Sequence, residues 1–113
     1  VSELIDEIHR RGKLAMADIS TAVEAVMALE AGADYVSTTL SGYTAYSPQQ
    51  EGPDFDLISD LADRGIKPIA EGRIRTPAEA KEALERGAFA VVVGSAITRP
   101  DVVTQWFVEA LKH

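Results

Sequence analysis

Four short apolar runs each end on side chains that can bind an anion or move a proton. Their ends are Asp18, Thr38-Thr39, Glu71-Gly72-Arg73 and Gly94-Ser95. Glu71 follows Pro68-Ile69-Ala70, so its carboxylate faces a polar mouth. There it is suited to general acid or base work, or to holding sugar hydroxyls. The alternative is a surface carboxylate that merely holds Arg73 or Arg99. Asp18 has the same two readings, and a third as the N-cap of the helix that starts near Thr21. Gly72 and Gly94 allow a ligand close to the backbone, and the Ser95 hydroxyl can donate to a phosphate oxygen. Each glycine alone would read as a tight turn. Together, with Ser95 and two nearby arginines, they favour phosphate. Arg99, in Ala96-Ile97-Thr98-Arg99-Pro100, can pair with a phosphate or a carboxylate, or simply lie solvated ahead of a proline-initiated helix. Tyr43, in the longest loop, reads either as part of a lid or as the pin of that loop. Thr39 stands at its strand tip as a further ligand-contact candidate.

These tips need elements to position them. Leu4, Ile5 and Ile8 have helical spacing, closed by Gly12. Strands are expected over Lys13–Ala17, Asp34–Thr39, Lys67–Ala70 and Phe89–Val93. Helices are expected over Thr21–Ala31, Phe55–Arg64, Pro77–Arg86 and Pro100 or Asp101 to Lys112, with Thr76 as an N-cap and Pro77 first in its helix. Leu40 to Pro53 is a loop. Short strands alternating with helices mean a parallel sheet joined by right-handed crossovers. Thr21–Ala33 aligns with Thr76–Ala88 at an offset of 55 residues, which also sets Ile19 over Ile74, Val36 over Val91 and Thr39 over Gly94. Repetition over two βα units is what a barrel built by duplication shows. The alternative is two amphipathic helices of similar composition. Four units cannot close a parallel barrel, which takes about eight strands. The expected fold is therefore α/β, half of a TIM (β/α)₈ barrel: four parallel βα units after a leading helix, in one domain over residues 1–113. A flavodoxin-like open sheet is the competing architecture. In barrels the loops after the last two strands hold phosphate, which would place Gly72, Arg73, Gly94 and Ser95 there.

Composition narrows the partners. The chain has 113 residues, 46% of them apolar, and a net charge of −7. That charge argues against a nucleic-acid or anionic-membrane surface. No apolar run approaches a membrane span and no signal peptide is visible. Without cysteine there is no disulfide or thiolate metal site. This fits a reducing compartment, and a cytoplasmic location is expected. His9 and His113 read as surface residues of the terminal helices and suggest no metal. Lys13 and Lys67 precede their strands and belong to the face away from the chemistry. Trp106 and Phe107 are expected to pack the last helix. The chain opens inside a helix at Val1 and so reads as part of something longer.

The segments Met16-Ala17-Asp18-Ile19, Thr38 to Thr44, Ile69 to Ile74 and Val92 to Pro100 resemble, in order and spacing, the second half of N-acetylmannosamine-6-phosphate 2-epimerases. Gly42-Tyr43-Thr44 and Ala96 to Pro100 are the most specific. The resemblance covers nearly all of this chain and about half of a family member. It implies a ribulose-phosphate-binding type of barrel, with this chain as strands five to eight and helices four to eight. It also implies interconversion of N-acetylmannosamine 6-phosphate and N-acetylglucosamine 6-phosphate in amino-sugar and sialic acid catabolism, without metal or redox cofactor. By resemblance Glu71 is catalytic, Asp18 and Arg99 contact the sugar, and Gly72, Arg73, Gly94 and Ser95 hold the phosphate. The family also uses a lysine from an earlier strand, and no lysine here stands at a strand's C-terminal end. This chain alone is thus expected to bind a sugar phosphate or phosphate weakly and to be inactive. Two alternatives remain. One is a noncatalytic half-barrel that dimerises through its open sheet edges, in place of pairing with an N-terminal half-barrel. The other is a fragment of another sugar-phosphate lyase or synthase.

Overall fold

The computed structural model describes residues 1–112. Four three-residue strands form one parallel sheet: β1 (Met16–Asp18), β2 (Tyr35–Ser37), β3 (Ile69–Glu71) and β4 (Ala90–Val92). Helix α1 (Ser2–Arg10) leads. The connections carry α2 (Ala22–Glu30), α3 (Phe55–Asp63) and α4 (Pro77–Glu85), and the chain continues through α5 (Ser95–Thr98) and α6 (Pro100–Leu111). The spatial order is β1-β2-β3-β4, the order of the sequence. Right-handed crossovers that never reverse direction lay every connecting helix on the same face. A flavodoxin-like sheet reverses its winding so that helices cover both faces. The order observed here excludes it, and the chain is four consecutive βα units of a (β/α)₈ barrel.

The strands are shorter than the apolar runs imply, and β1 and β3 sit toward the C-terminal end of theirs, each reaching one residue past it. Leu14 is exposed, and pairing begins only at Met16↔Tyr35. The Ala15 carbonyl instead accepts from the amides of Asp34 and Tyr35 at 2.9 and 3.1 Å. A strand needs a partner at each residue, and apolar character alone does not supply one.

Capping follows the sequence closely. Thr21 accepts from the Glu24 amide at 3.2 Å, so Thr21, and not Asp18, is the N-cap of α2. Thr76 and Glu79 form a reciprocal capping box at α4, with Pro77 in the first turn. Each satisfies amides that the first helical turn leaves without partners.

The core lies between sheet and helices in two parts. Ile5, Ile19, Val36, Leu57 and Leu61 anchor one, around β1 and β2. Ile58, Ala70, Ile74 and Ala83 anchor the other, around β3 and β4. Helix α3 feeds both. Helix α6 buries none of its residues, and Phe107 is 67% exposed. Phe107 therefore does not pack that helix as the sequence led us to expect. His9 lies at the surface as expected, and it has a partner there: its Nε2 lies 2.8 Å from Asp34, which also accepts from the Ala15 amide at 2.7 Å. That joins the end of α1 to the start of β2. His113 lies outside the described residues.

Candidate functional site

A cavity of about 470 Å³ opens at the C-terminal ends of β3 and β4. Its wall includes Thr39, Tyr43, Glu71, Gly72, Arg73, Gly94 and Ser95, seven of the residues that sequence singled out. A volume of this size suits a small ligand.

Glu71 is held from three directions. The Thr38 hydroxyl donates to the Glu71 carbonyl at 3.0 Å, and the same oxygen accepts from the Glu71 amide at 3.1 Å. Only Ser37↔Ile69 pairs β2 with β3, so Thr38 continues the ladder with its side chain. The Thr39 hydroxyl donates to the Glu71 carboxylate. Its single proton is thereby used, so it accepts from Ser37, 2.5 Å away. The relay Ser37, Thr39, Glu71 fixes where the carboxylate points. A half-buried, hydrogen-bonded carboxylate at a cavity wall can reach a ligand held in that cavity.

Gly72 and Arg73 both have positive φ, 108° and 60°, and Arg73 is the non-glycine residue of the described chain that does so. Such a backbone persists only where its surroundings hold it. Arg73 donates to the carbonyls of Ser41 and Gly42 at 3.0 and 3.5 Å, and lies 4.2 Å from the Tyr43 ring centroid. Gly42, at φ 87°, has no room for a Cβ, which would collide with that guanidinium. The loop is tied further along. The Ser47 hydroxyl accepts from the Gly42 amide at 2.9 Å, and Thr44 donates to Ser20 at 2.8 Å. Ser41 donates to Asp54, which also caps α3. Tyr43 is 64% exposed at the cavity mouth. It belongs to a pinned loop over the mouth.

Gly94 is the N-cap of α5, whose first amides, Ser95 and Ala96, have no intrahelical partner. Both residues line the cavity.

Two sequence-derived candidates stand apart. The ladder register Asp18↔Ser37 and Ser37↔Ile69 puts Asp18 on the same pleat face as Ile69 and Glu71. Asp18 nevertheless lines a second hollow at the β1 edge, with Glu24 and Met27. Arg99 is engaged by Asp101 through two contacts, at 2.9 and 3.2 Å, which raise the Arg99 pKa and lower that of Asp101. It is not on the cavity wall. Among the described residues, no group of three or more His, Asp or Glu side chains is placed to hold a metal ion.

Sequence reasoning missed Ser37 and Thr38 as the residues that hold Glu71. The doubled threonine was a visible signal for it. It also missed Arg75 and Trp106 on the cavity wall. They are packed together, with the guanidinium 4.7 Å from the ring centroid, and nothing local connects residues so far apart in sequence.

Residues 1–113 match, over their full length, the sequence model of a family described as N-acetylmannosamine-6-phosphate epimerase. The bifunctional enzyme NanE/NanK of Brucella melitensis is 55% identical over 111 residues, covering 98% of this chain and 21% of that protein. The solved N-acetylmannosamine-6-phosphate 2-epimerase from Clostridium perfringens superposes with a TM-score of 0.93 at 52% identity, over 96% of this chain and 48% of that one. FabK from Thermotoga maritima superposes with a TM-score of 0.66 at 23% identity, over 84% of this chain and 30% of that one, which speaks to fold alone. The chain thus spans about half, or less, of the proteins it matches.

Proposed function

The chain belongs to the N-acetylmannosamine-6-phosphate epimerase family, and from that premise we propose that it is the sugar-phosphate-binding half of an enzyme interconverting N-acetylmannosamine 6-phosphate and N-acetylglucosamine 6-phosphate. In this reading its strands are five to eight of the barrel. The observation that carries it is the relay that holds Glu71 at a cavity also walled by Gly72, Gly94 and Ser95.

Epimerisation at C2 removes the proton beside the open-chain aldehyde and returns one to the opposite face. The electron pair left by the proton spreads onto the aldehyde oxygen. Glu71 serves one face of C2, as acceptor or donor. Gly72, Gly94 and Ser95 offer amides and a hydroxyl to the phosphate, while Arg73 holds the loop that bears Tyr43. Asp18 approaches the sugar from the tip of β1, two strands from Glu71, and Arg99 must leave Asp101 to do so. The opposite face needs a second group. The lysines at positions 13, 67, 81 and 112 all lie off the strand tips, so these residues alone bind without turnover. No cofactor enters the scheme.

Titration with N-acetylmannosamine 6-phosphate, read by backbone amide shifts, tests this. Expected are saturating shifts at Gly72, Gly94 and Ser95, weaker ones with the unphosphorylated sugar, and no C2 deuterium uptake in D₂O. Shifts confined to other regions would contradict the proposal.

A second reading has its own support. Leu14, Met16, Val23 and Met27 are exposed around the β1 margin, and Ile97, Phe107 and Val108 beyond β4. Apolar margins on both sides of an open sheet suit self-association. Light scattering on the eluted chain separates the readings: a discrete dimer supports a self-pairing half-barrel, a monomer does not.

A further inference from the structure

The cavity wall carries an arginine for which the reading above has no role. The sequence holds seven arginines. Arg10, Arg11, Arg64, Arg86 and Arg99 each face a carboxylate at 2.7–3.0 Å. Among the described residues Arg73 and Arg75 have no such partner, and both line the cavity. In an acidic chain this pairing pattern leaves two cations beside one hollow.

Arg73 is already engaged. Its guanidinium is spent on two carbonyls and the Tyr43 ring. Arg75 is different. Its amide donates to Glu79 at 2.9 Å, which fixes its backbone at the entrance to α4. Its guanidinium lies over Trp106 and makes no hydrogen bond among the described residues. A face-on stack orients a guanidinium while leaving its edge donors free. A cation just ahead of a helix N-terminus is also disfavoured by the helix dipole. Among the described residues nothing beyond that stack offsets the charge at that place; an anion in the cavity does.

We propose that Arg75, propped on Trp106, is the cation that reads the phosphate monoester at this cavity, and that Arg73 is a positioning residue for the Tyr43 loop. The proposal rests on the phosphate reading given above and names the side chain that supplies its charge. A planar, pre-oriented fork suits two phosphate oxygens.

Trp106 is the single tryptophan, so its fluorescence reports the stack directly. Inorganic phosphate is titrated into the chain while Trp106 emission and the Gly94 and Ser95 amide shifts are followed together. Both should saturate with one common Kd. Arg75→Ala should raise that Kd about tenfold, the loss of one charge-assisted contact. Arg75→Lys, which keeps the charge and loses the fork, should raise it about threefold. Arg64→Ala on the outer surface should leave it unchanged, and far-UV circular dichroism should stay the same throughout. Should Arg75→Ala misfold, Arg75→Lys and the parent's Trp106 response still decide. Saturating amide shifts with the same Kd in parent and Arg75→Ala, or with Trp106 emission unmoved, would overturn the Arg75 assignment and leave the phosphate rim standing. Absence of any shift at Gly72, Gly94 and Ser95 in the parent would remove the rim and Arg75 together.

Discussion

The first strand pair and the second are built on one plan and differ in the turn that leads out of the first strand. Helices α2 and α4 have nine residues each, with threonine N-caps at Thr21 and Thr76. Both end in glycines of positive φ, Gly32 at 107° and Gly87 at 113°, followed by buried Ala33 and Ala88. Between β1 and Thr21 lie only Ile19 and Ser20. Between β3 and Thr76 lie Gly72, Arg73, Ile74 and Arg75. Counting back from the caps therefore sets Asp18 opposite Arg73, whereas the ladders set Asp18↔Ser37 in the place of Glu71↔Val92. Asp18 and Glu71 are the equivalent strand-tip carboxylates, and Gly72-Arg73 is the extra length. The first copy fills the slot before its cap with Ser20, 1% exposed and bonded to Glu24 and Thr44. The second places Arg75 there, over Trp106. The scaffold is repeated by capping and burial, and the cavity arises where the repeat is lengthened.

The sharpest break of that comparison is to give both connections one length. Excising Gly72 and Arg73 should cost phosphate affinity about a hundredfold or more, since the Gly72 amide is lost and the shortened connection draws the Arg75 fork away from the cavity. Helix α4 keeps its Thr76–Glu79 box, so far-UV circular dichroism should change little. Binding that survived the excision would mean that the added length does not make the site.

A second break tests the clasp that crosses from one half to the other. Gly42→Ala forces a Cβ onto the Arg73 guanidinium at a left-handed φ. It should cost about 2 kcal/mol in denaturant melts. In an Arg73→Ala background the same change should cost about half as much, because only the backbone strain remains. Equal costs in the two backgrounds would show that Arg73 does not pack on Gly42.

Much of this architecture was legible in the sequence because it is encoded over short spans. A threonine three residues before a glutamate, and a glycine eight residues after that glutamate, fix a helix by contacts within one or two turns. Glu71, Gly72, Gly94 and Ser95 were legible as strand tips, since a parallel strand followed by a helix must end there. What escaped depends on pairing across the fold. Strand limits moved because Leu14 has no partner, although its run is apolar. The role of Arg73 follows from a φ of 60° and from a loop about thirty residues earlier. Arg75 and Trp106 meet only once α6 has docked.

The two caps sharpen the comparison by measuring its sameness. Thr21→Ala and Thr76→Ala should each cost about 1 kcal/mol, the ordinary loss of an N-cap hydroxyl. The two values should agree within about 0.5 kcal/mol. A large disparity would mean that the repeat is one of spelling and not of energetics.

The smallest expected effect concerns the closed slot of the first copy. The Ser20 hydroxyl donates to Glu24 at 2.6 Å and the Ser20 amide at 2.7 Å. The hydroxyl bond first, then the amide bond, hold the Glu24 carboxyl below the usual glutamate value of 4.5. A carboxylate whose pKa is lowered by folding adds stability above its unfolded pKa and loses it as the pH falls through the folded value. The folded chain should therefore weaken on acidification from about pH 5 downward. Glu24→Gln should flatten that part of the curve, with little change in its slope above pH 6. Equal acid slopes in parent and Glu24→Gln, from urea melts taken between pH 3 and 6, would show that the Ser20 bonds persist when the carboxyl is protonated. In that case Ser20 would close the first copy by packing and by its bond to Thr44, and the contrast with the open Arg75 slot would be one of shape and not of charge.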